Sequence, residues 1–339
     1  MATLSDVAQR AGVTAATVSY VLSGKAQVKD ETRARVLQAV EDLGYKPNLL
    51  ARGLAQGKTF TIAAIVPEIT NPYYAEIINE VEHIAGAKEY HILLAMSHGN
   101  PKTCAHLLDR FSSRWVDGFL IMGGSANPDL AQSIIQTSKP LVLSVWENDP
   151  QLEDIPCFDI DFYDAGMQAT KHLLHLGHSK IAIILEEPIQ HTRFLGFKDA
   201  MQHAGMEILP EYIQAGDSSY TSGFAAAQKL LQIKPMPTAL FAANDAMAIG
   251  AIEAIHQAGL AIPSDISVIG VDDILLAEHS YPPLTTIRTP RRQLAKLIIQ
   301  TLLAKIEDPK LINFEKTATL LKPHIIIRSS TTSPQKQIY

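Results

Sequence analysis

The sequence predicts two kinds of fold in one chain: an N-terminal all-α helix-turn-helix head, and behind it a two-lobed α/β core on parallel doubly wound sheets. Three observations predict it. Residues 4–43 carry three short apolar periods at helical spacing, the first two joined by a Gly-containing turn. From residue 61 onward, apolar strands alternate with helical stretches, the pattern of parallel sheets flanked by helices. The charge also changes sign along the chain. Residues 1–58 hold eight Lys/Arg against five Asp/Glu, a balance of +3, and the other 21 bases and 30 acids give −9. A basic head on an acidic body fits a separate polyanion-binding module.

A chain of 339 residues is long enough for two or three compact domains, and a hydrophobic content of 47% supports large cores rather than disorder. A net charge of −6 argues against a protein that coats nucleic acid along its whole surface. The two cysteines, Cys104 and Cys157, have no metal or redox spacing, so a disulfide framework is excluded and a reducing compartment is expected. The opening MATLSDVAQRAG has no apolar core of a secretory signal, and no apolar run is long enough to span a bilayer. The expected location is the cytoplasm, with no membrane partner.

In the head, Leu4, Val7, Ala8 and Ala11 give the first helix one apolar face, and Gly12 ends it. Thr14 supplies an N-cap hydroxyl for a second helix from Ala15 to about Leu22, with Val18, Val21 and Leu22 inward. A third helix is expected after an Asp30 cap, with Val36, Leu37, Val40 and Leu43 as its buried stripe and Gly44 closing it. In a helix-turn-helix the second helix enters the major groove with its N-terminal residues at base edges. Ala15 and Ala16 permit close approach and offer methyls to thymine; Thr17, Ser19 and Tyr20 supply hydroxyls. The competing reading of this stretch is an ordinary three-helix packing unit with a solvated face. Tyr45-Lys46-Pro47-Asn48 then breaks the chain before Leu49–Ala55, a segment too short to be a stable helix without a partner.

In the body, TIAAIVPE (61–68) is read as a buried strand followed by a helix from Tyr74 to about Glu89. HILLAMS (91–97), a helix across 102–113, GFLIMG (118–123) and PLVLSVW (140–146) continue the alternation. A second set starts near Cys157: helix 164–176, strand 180–186, helix 193–205, strand 212–216, helix 220–232, strand 238–244, helix 245–258 and strand 266–273. Two sets make two lobes, and the ligand site belongs at the carboxyl ends of the strands, in the cleft between them. The candidate cleft residues sit where strands end: Asn71, Tyr73 and Tyr74, then Trp146, Asp161, Arg193, Asn244 with Asp245, and Asp272 with Asp273. Acids, an Arg, an Asn and an aromatic face suit the hydroxyls and faces of a sugar. Each has a plainer alternative: a dimer contact for Tyr74, a cap for Asp245 or Asp273, a lobe edge for Trp146, a fixed crossing for Asp161, a structural ion pair for Arg193 with Asp272. The twelve histidines, His172, His175 and His178 among them, are scattered; His175 and His178 are read as cap or surface residues, and no metal spacing, nucleophile elbow, P-loop or GxGxxG is present, so no cofactor and no enzyme activity are expected.

The patterns DVAxxAGVTxxTVSxVLSG and ETRxRVxxAxExLGYxPNxxARxL, dense over residues 3–57, resemble the head of the lactose/purine-repressor (LacI/GalR) family, and the rest of the chain fits that family nearly to its end. The resemblance implies a homodimer on a pseudo-palindromic operator. It also implies a hinge that becomes helical only on DNA, with Leu54 wedged into the minor groove. Unstacking a base step there costs a few kcal/mol and gives a bent DNA that contacts more protein. Ala15, Ala16 and Tyr20 match the family's base-reading positions. Thr3, Thr14, Thr17, Ser19, Ser23, Lys29 and Thr32 read as phosphate contacts, which position without specifying. Leu4, Ser5, Asn48, Ala51, Arg52 and Leu54 complete the DNA-contacting set.

The core is similar to periplasmic sugar-binding proteins, in which the chain crosses between lobes three times. The crossings are expected near 158–161, 288–290 and 317–320. The implied division is a head at 1–47, a hinge and linker at 48–59, one lobe at 60–159 and 290–318, the other at 160–289 and 319–330, and a flexible tail at 331–339. Arg193, Asn244 and Asp272 match the family's effector-gripping positions. The loop EEPIQHTRF (186–194) lacks the usual Gly-Pro, and Ser218 stands where relatives often stack an aromatic. The implied effector is a sugar or sugar derivative acting on a repressor; the alternative is ligand-promoted DNA binding with a purine-like effector. The tail SSTTSPQKQIY lacks Leu heptads, so a dimer is expected rather than a coiled-coil tetramer.

Overall fold

A computed structural model describes residues 2–23, 28–45, 58–113, 116–124, 127–146, 152, 154–186, 190–308 and 319–334. The chain divides into two compact units, Met1–Thr59 and Phe60–Tyr339. The expected hinge residues Asn48, Ala51, Arg52 and Leu54, and the side chain of Ser23, lie outside the described residues.

The head has helices α1 (Leu4–Ala11), α2 (Ala15–Ser23) and α3 (Asp30–Asp42). Thr3 and Asp6 form a capping box: the Thr3 hydroxyl accepts the Asp6 N–H, and the Asp6 carboxylate accepts the Thr3 N–H at 2.7 Å. Gly12 ends α1 in the left-handed region at φ 64°, and the Val13 N–H closes on the Ala8 carbonyl. The Thr14 hydroxyl accepts the Thr17 N–H at 3.2 Å and so starts α2. Val7, Ala8, Ala11, Val18, Val21, Val36 and Ala39 form the core.

Two expectations for α3 are corrected. Lys29 holds the N-cap position without a side-chain bond, and Asp30 is the first helical residue. Leu37 and Leu43 are exposed, at 49% and 36%. The buried row is Val36 with Ala39, flanked by Val40, because α1 and α2 are only 8 and 9 residues long and cover one face of α3.

The first lobe of the core contains β1 (Thr61–Val66), α4 (Pro72–Gly86), β2 (His91–Met96), α5 (Pro101–Ser112), β3 (Gly118–Gly124), α6 (Pro128–Gln136), β4 (Leu141–Trp146) and β5 (Cys157–Ile160). The second contains α7 (Phe162–His175), β6 (Ile181–Leu185), α8 (His191–His203), β7 (Ile213–Ala215), α9 (Tyr220–Leu230), β8 (Ala239–Ala242), α10 (Asp245–Gln257), β9 (Ser267–Asp272), α11 (Leu275–His279) and β10 (Thr285–Arg288). The chain then returns through α12 (Arg291–Glu307), which packs on α4, and finishes with β11 (Thr319–Leu321) and β12 (His324–Ile326).

The sheets run β11-β5-β4-β3-β1-β2 and β12-β10-β9-β8-β6-β7. The described pairings are parallel except β12 against β10. In β1, Ile62, Ala64 and Val66 face the core shared with α4 and α12, while Ala63 and Ile65 face Cys104 and Leu108 of α5 and Leu130 and Ile134 of α6. Both faces are covered, which is why TIAAIV has no polar alternation.

The chain crosses between lobes at Asp161, at Thr289–Pro290 and at Lys322–Pro323. The third crossing lies beyond the expected 317–320. Thr319–Leu321 pairs with β5, Leu321 opposite Ile160, so it completes the first lobe's sheet rather than the second's. The expected flexible tail is also corrected at its start. The Thr331 hydroxyl bonds to His172 and the Thr332 carbonyl to His178, each within 2.9 Å, so these residues are laced to the second lobe. His178 is therefore buried, at 2% exposure, rather than a surface residue.

Helix α6 was not anticipated. Its start carries the same signal as its two neighbours. Asn71-Pro72, Asn100-Pro101 and Asn127-Pro128 each place an Asn oxygen on free N–H groups of the first turn and a Pro where no N–H is needed.

Candidate functional site

In the head, Ala15, Ala16, Ser19 and Tyr20 are exposed along one side of α2, whose opposite side is held by Val18 and Val21. Tyr20 is 52% exposed. The face presents methyls and hydroxyls and no charged side chain. Thr3 and Thr14 serve as caps at the starts of α1 and α2; the Thr3 hydroxyl also donates to the Asp6 carboxylate, and the Thr14 and Thr17 hydroxyls are hydrogen-bonded, each at 2.9 Å. Ser5 and Lys29 are exposed; Thr32 is half-buried; Leu4 packs on the head core with part of its side chain outside.

In the core, parallel strands collect their carboxyl ends on one edge of each sheet. The first lobe delivers Tyr73 and Tyr74 from the start of α4, Trp146 from the end of β4 and Asp159 from β5. The second delivers Arg193 from the first turn of α8, Asn244 and Asp245 from the start of α10, and Asp272 from the end of β9. An Arg193 guanidinium nitrogen lies 3.9 Å from Asp272 Oδ1, and the guanidinium carbon stands 3.7 Å above the Phe162 ring centroid. Both partners are buried, at 6% and 2% exposure.

Asp272 adopts φ 115°, a conformation rarely taken by residues other than glycine. Burial pushes its carboxyl up to about 7, against the pull of Arg193 and Arg291. Burial likewise pushes Asp159 up to about 7, against the Ile160 N–H and Arg193. Burial, with Asp272 and Asp159 next, raises the Tyr73 hydroxyl well above its ordinary value. Two carboxyls and a tyrosine from different lobes therefore feel the same guanidinium.

Four buried polar atoms of this group have no hydrogen-bond partner among the described residues: Tyr73 hydroxyl, Trp146 Nε1, Arg193 Nε and Asp272 Oδ1. A buried donor or acceptor left unpaired costs about 1–3 kcal/mol. Tyr73, Arg193 and Asp272, which interact electrostatically across the two lobes, form a set that a polar ligand would satisfy. Trp146 lies flat against Gly124, where an added Cβ would meet the indole at 2.1 Å. The indole plane is fixed by this contact, which leaves its N–H as the polar handle.

The other expected cleft residues have structural partners. Asn71 caps α4, its oxygen 3.0 Å from the Tyr73 nitrogen. Asn244 caps α10 through the Met247 N–H and donates to the Ser218 carbonyl. Asp161 caps α7 and pairs with Lys322 at 2.7 Å, joining the first and third crossings. Asp245 is fully buried and accepts from the Thr286 hydroxyl and the Ile274 N–H. Asp273 pairs with Arg288 and Arg328. Tyr74 is buried, with its hydroxyl against Gly123.

Sequence reasoning missed Asp159, Phe162 and Gln190. The Gln190 amide ties the Glu186 N–H to the Ser218 hydroxyl and so braces the loop before Arg193. Asp159 carried one signal, an acid inside the short apolar strand CFDI.

The profile described as bacterial regulatory proteins, lacI family, matches residues 3–48, and that of a periplasmic binding protein-like domain matches residues 170–331. Catabolite control protein A of Priestia megaterium is 37% identical over 304 residues, covering 88% of this chain and 91% of that protein. The transcriptional repressor PurR of Photobacterium profundum is 36% identical over 97% of this chain and 98% of its own length. The ribose operon repressor of Haemophilus influenzae is 35% identical over 98% and 99%. Among solved structures, a lac repressor dimer bound to operator and an anti-inducer superposes with a TM-score of 0.85 at 26% identity, covering 98% of this chain and 99% of that one. A complex of the regulator CelR with cellobiose gives 0.73 at 31% identity, covering 97% and 100%.

Proposed function

The chain belongs to the lacI family of bacterial regulatory proteins, and on that premise we propose that it is a homodimeric repressor of a carbohydrate-utilisation operon. A sugar or sugar derivative held between the two lobes controls its hold on a pseudo-palindromic operator. One observation carries the effector reading: Tyr73 of one lobe and Arg193 and Asp272 of the other hold unpartnered polar atoms within one another's electrostatic reach, and Trp146 adds an unpartnered indole N–H at the end of β4. A ligand rich in hydroxyls can both accept from the guanidinium, phenol and indole and donate to the carboxylate. The Phe162 face against Arg193 is already covered by the guanidinium, so that ring is not free to stack on a purine. The relatives include repressors of ribose and purine systems, so the purine-like reading is the alternative outcome.

Ligand acts by favouring one arrangement of the lobes. A differential affinity of a few kcal/mol between arrangements is enough to move operator occupancy decisively. The protein works in the cytoplasm and performs no catalysis. Edge strand β2 presents Leu94 and Met96 at 37% exposure each, and we assign this apolar edge to the dimer contact.

The test is a thermal-shift screen with ribose, cellobiose and hypoxanthine, followed by gel shifts on operator DNA. A ligand at ~100 times its dissociation constant stabilises by roughly 2.7 kcal/mol. A shift with a sugar alone supports the reading; a shift with hypoxanthine alone overturns the sugar. In the same gel shifts, Leu54→Ala is expected to weaken operator binding while leaving nonspecific binding in place. Hydrolysis or phosphorylation of any sugar in a turnover screen would contradict the non-enzymatic assignment.

A further inference from the structure

Asp272 occupies its strained conformation because its turn is pinned from the other lobe. Arg291, the first residue of α12, sits on the first-lobe side of the second crossing. Its guanidinium donates to the backbone carbonyls of Asp272 and, at 2.7 Å, Asp273. These two residues take φ 115° and φ 56°, both in the region that disfavours side chains. Arg291 is in turn paired with Glu76 of α4 at 2.9 Å. The second carboxylate oxygen of Glu76 accepts the Leu275 N–H, two residues beyond the turn in the second lobe, at 3.1 Å. One first-lobe carboxylate thus joins a first-lobe guanidinium to a second-lobe helix start. The Glu76 side chain is 30% exposed and that of Arg291 17%, so the pair is shielded by protein on most sides.

Glu76 also lies one turn beyond Tyr73 on α4. The helix that presents a cleft hydroxyl therefore also carries the carboxylate that pairs with Arg291 and accepts the Leu275 N–H. We propose that Glu76 and Arg291 form a latch between the lobes: Arg291 positions Asp272, and Glu76 reports the position of that turn to α4, so that breaking the pair alters operator binding without touching the head. The inference rests on the reading above that lobe arrangement controls operator affinity. Arg291 and Glu76 are positioning residues; neither is placed in contact with effector. The neighbouring pair, Arg292 with Glu80 at 3.2 Å, joins α12 to α4 within the first lobe and has no second-lobe partner among the described residues. It serves as the internal control.

The test uses the full-length protein without effector. Hydrogen exchange of the segment containing Leu275 is followed in Glu76→Ala, Glu76→Gln and Glu80→Ala, alongside operator affinity by fluorescence anisotropy. Glu76→Ala is expected to speed exchange at the Leu275 amide and to shift the operator Kd by on the order of tenfold, within the usual range of coupling between sites. Glu76→Gln keeps an acceptor for Leu275 and loses the ion pair, so its effect should be intermediate. Glu80→Ala should leave both readouts unchanged. Unchanged Leu275 exchange in Glu76→Ala overturns the latch, and faster exchange with an unchanged operator Kd overturns its coupling to DNA. Equal effects from Glu80→Ala would assign both to α4 packing and also overturn it. Both readouts are taken without sugar, so a failed sugar screen sinks the effector reading and leaves this test intact.

Discussion

The two lobes share one strand order but hold their helices in different ways. In the first, α4, α5 and α6 each begin at an Asn-Pro pair whose Asn oxygen satisfies first-turn N–H groups. In the second, helices are pressed together backbone to backbone at glycines. A Cβ on Gly166 would lie 2.1 Å from the Arg193 carbonyl oxygen, and one on Gly196 2.1 Å from the Tyr163 carbonyl oxygen. Gly223 and Gly250 lock α9 to α10 in the same way, at 2.2 and 2.0 Å. The first lobe therefore presents its cleft residue Tyr73 from the first turn of a capped helix. The second presents Arg193 from a helix whose position is fixed by contacts that no side chain larger than hydrogen permits. Small errors in the first lobe are absorbed locally; small errors in the second move the guanidinium.

The sharpest way to break this contrast is Gly196→Ala. The added methyl has backbone rather than a flexible side chain in its way, so α7 and α8 must separate, at about 3 kcal/mol or more. Thermal unfolding should show a large loss, and binding of whichever sugar passes the thermal-shift screen should fall with it. An unchanged melting temperature would mean that the glycine contacts do not set the lobe.

Asp272→Asn comes next. It leaves the shape and removes the charge facing Arg193, and should weaken that sugar about 10–100-fold by isothermal titration, the value of a hydrogen bond to a charged group. The same variant has a pH signature. A carboxyl raised from 3.8 to about 7 by burial stabilises the fold while protonated, fully below its unfolded pKa, and the contribution is lost as pH rises through about 7. Burial lowers His172 and His178, which gives the opposite sign: their contribution is present above 6.5 and is lost as pH falls below it. Lowering the pH from 8 to 5 should therefore stabilise Asp272→Asn less, or destabilise it more, than the parent in urea titrations. Parallel curves would show that Asp272 does not hold its proton near neutrality.

The smallest effects concern the caps. Asn100 accepts the Lys102 and Thr103 N–H groups at 2.9 and 3.2 Å, at the start of α5, a helix that supplies none of the cleft residues named above. Asn100→Ala should cost about 1 kcal/mol of stability and leave sugar affinity alone. Asn244→Ala removes a cap of the same kind and also releases the Ser218 carbonyl beside the loop that carries Arg193, so stability and affinity should fall together. Equal behaviour of the two variants would erase the distinction between the lobes.

Much of the fold was legible because it rests on local signals. Gly12 and Thr14 mark helix ends by rules that involve only neighbouring residues. Continuous apolar runs such as IAIIL mark strands covered on both faces. Leu37 and Leu43 continue the apolar period of α3 yet are exposed, because α1 and α2 cover only the face that carries Val36 and Ala39. Asn71 and Asp161 read as ligand groups because a strand end followed by a polar residue looks the same whether that residue caps a helix or faces a ligand. Which it does depends on the next turn's backbone and, for Asp161, on Lys322 arriving from 161 residues away.

By itself the sequence determined the three-helix head, the strand–helix alternation of the core and the strand-end placement of Tyr73, Trp146, Arg193 and Asp272, because caps, turns and hydrophobic period act over a few residues. The tertiary structure alone decided which of those groups meet. Asp159 joins the cleft because β5 lies beside β4, and β11 closes the first sheet because the chain crosses at Lys322. Arg193 faces Asp272 because α8 is pressed onto α7, and the Asp272 turn is held by an arginine and a glutamate of the opposite lobe. These are pairings across tens to hundreds of residues, set by how the lobes pack, and no short-range pattern encodes them.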